Sequence, residues 1–72
     1  MIVKWMDGFE LRVTVRDGEI VLSANREGLL SLAEQLEALA EEKPGSHLHY
    51  DDGNALEEGS ASLIIEKIEH DN

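Results

Sequence analysis

His47 and His49 stand two positions apart, with Asp51 two further on. In a β-strand that spacing puts all three side chains on one face. A His-x-His pair can hold zinc, nickel or copper, and a carboxylate can serve as a third ligand. The remaining histidine, His70, sits in a polar tail, so a closed four-ligand zinc site lacks its fourth protein ligand. The expectation is therefore no metal. The imidazoles should instead hydrogen-bond across strands or to the carboxylates around Asp51 and Asp52. A small regulatory or metal-responsive module built on His47, His49 and Asp51 is the alternative reading.

Asp51, Asp52, Glu57 and Glu58 crowd a single connection. Connections carry function more often than scaffolds do, and such a cluster suits a basic cleft on a partner. Catalysis has less to work with. Ser31, Ser46, Ser60 and Ser62 lie in no nucleophile elbow, no glycine-rich phosphate loop is present, and a core this small leaves little room for a deep cleft. The chain reads as a non-enzyme without a cofactor.

The charge balance agrees. Sixteen Asp and Glu against six Lys and Arg give a formal charge of -10 over 72 residues. Nucleic acid and anionic membrane would be repelled, whereas a basic protein would be attracted. There is no cysteine, so neither a disulfide nor a thiolate site can form. The start, Met-Ile-Val-Lys-Trp, turns polar at Asp7 and resembles neither a signal peptide nor a membrane span. One domain in a reducing cytoplasm is expected.

The elements that would position these residues follow from periodicity. Phe9, Leu11, Val13 and Val15 alternate with polar residues, Asp17-Gly18 offers a two-residue turn, and Ile20, Leu22 and Ala24 alternate after it. Setting Arg16 opposite Glu19 places Val15 against Ile20, Val13 against Leu22 and Leu11 against Ala24, all on one face. Residues 1–6 read as a further strand at the sheet edge, its register open, with Val3 and Trp5 as the better inward pair.

Asn25 is a good helix N-cap, and Leu29, Leu32, Ala33, Leu36, Leu39 and Ala40 recur at helical spacing as a core-facing stripe. Glu34, Glu37, Glu41 and Glu42 face outward. Gly28 in the first turn reads either as a close approach to a strand or as a tolerated first-turn glycine. Lys43-Pro44-Gly45 stops the helix.

Residues 46–50 and 61–68 read as two more strands. The run Leu63-Ile64-Ile65 suits a strand that is central or covered on both faces. Between them Gly53-Asn54 and Gly59-Ser60 signal turns, and Ala55-Leu56-Glu57-Glu58 could form one helical turn anchored by Leu56. The tail from Glu69 to Asn72 should fray. The expected fold is α+β in the order β-β-β-α-β-β, with one helix packed on a mainly antiparallel sheet. An exposed edge strand leaves room for a dimer.

Three segments in order carry a family resemblance: Asn25-Arg26-Glu27-Gly28-Leu29, then Pro44-Gly45-Ser46-His47-Leu48-His49, then Leu56-Glu57-Glu58-Gly59-Ser60 leading to Leu63-Ile64-Ile65-Glu66. Together they resemble the immunity protein 32 family of bacterial polymorphic toxin systems. The resemblance runs from Asn25 onward; the hairpin before it adds little. It implies an intracellular, non-catalytic protein that binds a cognate toxin and blocks it. With a nuclease toxin, whose cleft is basic, Asp51, Asp52, Glu57 and Glu58 would be the contact residues.

Overall fold

Asp17 and Gly18 both adopt positive φ, 50° and 79°, the geometry that lets a two-residue turn follow the right-handed twist of its strands. In the computed structural model this turn joins β1 (Leu11–Arg16) to β2 (Glu19–Ala24). The register is the expected one: Arg16 opposite Glu19, Val15 opposite Ile20, Val13 opposite Leu22 and Leu11 opposite Ala24. Leu11 and Val13 are buried, but the same face runs on past the core, so Val15 and Ile20 stand exposed at the tip. The structure describes residue 1 and residues 3–69. The expected fraying of the tail falls mostly on residues 70–72, outside the described residues.

The chain is α+β, and its described residues form one helix and two antiparallel two-stranded sheets. It departs from the expected order at the start, because residues 3–6 form no strand. Their backbone is satisfied by the helix instead. Met6 N donates to Ser31 Oγ at 2.8 Å, and Gln35 Nε2 donates to the Lys4 carbonyl at 2.8 Å. Val3, expected inward, is exposed; Trp5 is half-buried, stacked on Phe9 at 4.4 Å and edge-on to Tyr50 at 5.6 Å.

That attachment decides how α1 (Arg26–Ala40) is rotated. Its buried residues are Gly28, Ser31, Leu32, Gln35 and Leu39. Leu29, Ala33, Leu36 and Ala40, expected in the core, face solvent. The helix is thus turned by roughly a quarter-turn from its most apolar orientation, at about 100° per residue. Two polar side chains go inward because unpaired backbone groups of residues 4 and 6 await them, and leaving those unbonded would cost about 1–3 kcal/mol each.

Asn25 fixes the start of α1. Its Oδ1 accepts from Gly28 N at 2.8 Å and from Glu10 N at 2.9 Å, while its Nδ2 donates to the Gly8 carbonyl. Gly28 resolves to the close-approach reading, since a Cβ there would overlap the Glu10 carbonyl oxygen. At the other end no basic residue occupies the last turn. Lys67 reaches across from beyond β4 and donates to the carbonyls of Ala40 and Glu42, supplying the positive charge that a helix C-terminus favours.

β3 (His47–Tyr50) pairs antiparallel with β4 (Leu63–Glu66). Among the described residues β4 has no second neighbour, so there the apolar run is neither central nor covered on both faces, and Ile64 is 62% exposed. Leu48, Tyr50 and Leu56 join Leu11, Val13, Leu32 and Leu39 in the core. The two hairpins meet through the connection between β3 and β4: Glu57 N donates to the Leu11 carbonyl, Ala61 N to the Val13 carbonyl, and Val13 N to Ser60 Oγ.

Candidate functional site

The connection from Asp51 to Ser60 is built around two anchors. The first is a tight turn in which Asp51 and Asn54 exchange backbone hydrogen bonds and Leu56 N also donates to the Asp51 carbonyl. Asp51 Oδ1 accepts from Gly53 N at 3.0 Å, and Asn54 Nδ2 donates to the His49 carbonyl. The second anchor is the buried side chain of Leu56. No helical turn forms from Ala55 to Glu58. Ala55 sits at φ 81°, a left-handed conformation that interrupts helical progression and is costly for a residue with a Cβ.

This arrangement divides the four carboxylates. Asp52 is exposed at the turn, whereas the half-buried Asp51 spends one carboxylate oxygen on holding the turn together. Glu57 and Glu58, past Leu56, are exposed, and the Glu57 backbone is bonded to the edge of β1. There Glu57 borders a surface groove of about 460 Å³ shared with Glu10 and Arg12. The connection therefore offers acidic groups at two places, one beside the end of β3 and one beside β1.

His47 and His49 lie on the outward face of β3, as their spacing implied, opposite Glu66 and Ile64. His49 Nε2 is 3.8 Å from Asp51 Oδ2, within ion-pair range but too long for a hydrogen bond. Among the described residues no three His, Asp or Glu side chains converge as a metal site. Tyr50, on the inward face of β3, has its phenol pushed up to about 12 by burial. Its hydroxyl donates to Gln35 Oε1 at 2.6 Å, so the group is committed to the fold.

Most of the acidic surface is uncompensated. Among the described residues the one pair of fully charged side chains is Arg26 with Glu27; His49 lies 3.8 Å from Asp51 and pairs with it only in its protonated form. Glu34, Glu37 and Glu41 are exposed along α1, and none of them is in either pair. Beside them lies what the apolar periodicity missed, the outward line Leu29, Ala33, Leu36 and Ala40. A signal for it was present in Ser31 and Gln35, two polar residues four apart inside an otherwise apolar helical pattern.

Neither curated proteins nor solved structures give a match to this chain. A family model does: the one described as immunity protein 32 matches residues 19–68. That span takes in β2, α1, β3, the acidic connection and β4. It begins before Asn25, so the second strand of the hairpin is part of the family pattern as well. A match from Glu19 to Ile68 spans well over half of the sequence and every element but β1, and on that ground the chain belongs to the immunity protein 32 family.

Proposed function

We propose that this protein binds a cognate toxin and neutralises it by covering a basic site with its acidic surface. Membership of an immunity-protein family supports the class of partner. The observation that carries the mode is the uncompensated charge: a net -10, with one ion pair between Arg26 and Glu27 and a His49–Asp51 contact among the described residues. Such a surface attracts a basic cleft over a distance set by screening and is repelled by nucleic acid. A nuclease, whose cleft must attract phosphates, is the natural complement. Inhibition is by occlusion and needs no catalysis and no cofactor.

The residues proposed to meet the toxin are Asp51, Asp52, Glu57 and Glu58. Their charges are held on a connection fixed by Leu56 and by bonds to β1, so little order need be lost on binding. No helix among the described residues is long and apolar enough to cross a membrane, and the proposed place of action is the bacterial cytoplasm. The test is co-expression with the product of the neighbouring gene, where the family membership leads us to expect a toxin domain. Protection of the cells and a purified complex that weakens with added salt are expected. Neither protection nor a complex would overturn the reading.

A further inference from the structure

Leu29, Ala33, Leu36 and Ala40 follow one another at spacings of four, three and four along α1, which keeps them on one line of the helix, in the leucine–alanine alternation of a heptad seam. Leu29 is 53% and Leu36 40% exposed, and both alanines are exposed too. At the C-terminal end of this line the Lys67 ammonium bonds to the Ala40 carbonyl. On one flank runs a second row, Leu30, Glu34, Glu37 and Glu41, also exposed. After Arg26 the helix carries no basic residue.

The charge selects the occupant. A second copy would bring its own glutamate row and its own -10 against these carboxylates. A basic protein would not. We propose that this line is the apolar anchor for the basic toxin partner, the leucines filling pockets on it while Ala33 and Ala40 let its surface approach the helix closely. The proposal rests on the toxin-neutralising reading above and adds to it the surface that holds the complex. An apolar strip inside a charged border is the anatomy of a binding hot spot, where the border steers encounter and the strip slows release.

The test uses the expected toxin domain, sought in the neighbouring gene, with wild type, the double variant Leu29→Gln/Leu36→Gln, and Ala33→Gln. Glutamine is close to leucine in helix propensity and these positions are exposed, so circular dichroism and urea midpoints should stay near wild type. Dissociation should quicken by about tenfold or more in the double variant, with association little changed, and protection of co-expressing cells should fall. Ala33→Gln keeps both leucines and adds bulk, so it decides the matter should the double variant fold poorly. Variants that bind and protect like wild type would overturn the anchor while leaving toxin neutralisation standing. A wild type that neither binds nor protects would sink both. A wild-type dimer in sedimentation that the variants convert to monomer would give the line to a second copy and overturn the proposed occupant.

Discussion

The Tyr50 hydroxyl donates to Gln35 Oε1 at 2.6 Å, and Gln35 Nε2 donates onward to the Lys4 carbonyl at 2.8 Å. Tyr50 and Gln35 are each 2% exposed. One buried relay therefore joins β3, α1 and the segment before β1, three parts of the chain that share no sheet. Because both ends are satisfied, the polar groups specify the packing at little cost; removing one end would leave the other buried and unpaired.

Tyr50→Phe should destabilise the fold by about 1–3 kcal/mol, the cost of orphaning Gln35 Oε1. Burial also moves the phenol from 10.0 up to about 12, so in alkali the unfolded chain ionises first. The stability that comes from keeping the phenol neutral is complete below pH 10 and is lost as pH rises toward 12, by on the order of 3 kcal/mol. Urea midpoints at pH 9 and at pH near 12 should show this fall in wild type, and a smaller one in Tyr50→Phe. Equal falls in the two proteins would assign the alkaline loss to other groups.

Gly28→Ala should run against the usual helix trend. Replacing glycine by alanine inside a helix ordinarily gains about 1 kcal/mol. Here the added methyl meets the Glu10 carbonyl, and a net loss of about 1–3 kcal/mol is expected. Chemical denaturation measures it, and a stabilised variant would mean that the contact between α1 and the start of β1 relaxes freely.

Added salt should stabilise the protein. The carboxylates outnumber their ion-pair partners, and a Debye length of about 10 Å at 0.1 M screens their mutual repulsion. The urea midpoint should rise between low and moderate sodium chloride. A flat or falling midpoint would show that the charges are too far apart to repel appreciably.

Charge reversal on the connection should separate binding from folding. Lysine at Asp52, Glu57 and Glu58 should leave the circular dichroism spectrum unchanged and slow association with the toxin, most at low salt. Asp51 needs a different substitution, because its carboxylate holds Gly53 N. Asp51→Asn keeps an acceptor for that bond and removes the charge, whereas Asp51→Ala should loosen the turn. If the triple lysine variant associates as fast as wild type, the connection does not steer the encounter.

Local patterns were legible in the sequence where one residue type had one job. The Asp17-Gly18 turn set the register of β1 and β2, Asn25 capped α1, and alternation put His47 and His49 outward. The rotation of α1 was not legible, because counting apolar residues ignores what the rest of the chain needs. Ser31 and Gln35 point inward to serve the backbone of residues 4 and 6, and Leu29 and Leu36 are displaced outward in consequence. The missing first strand has the same cause. For the candidate surface, the sequence placed the carboxylates on one connection, but the division between the exposed Asp52 and the turn-holding Asp51 depends on a hydrogen bond to Gly53. The apolar line on α1 had only an indirect sign in the sequence, the polar pair Ser31 and Gln35, whose inward bonds the structure shows.

The quarter-turn of α1 also separates what the helix must keep from what it can change. Gly28, Ser31, Leu32, Gln35 and Leu39 bind it to the rest of the protein, while positions 29, 33, 34, 36 and 37 take no part in the side-chain hydrogen bonds among the described residues. Exposed sites of this kind usually tolerate replacement within about 0.5 kcal/mol. A lineage could therefore re-aim the outer half of this helix at an altered adversary by successive single substitutions, each passing through a folded intermediate.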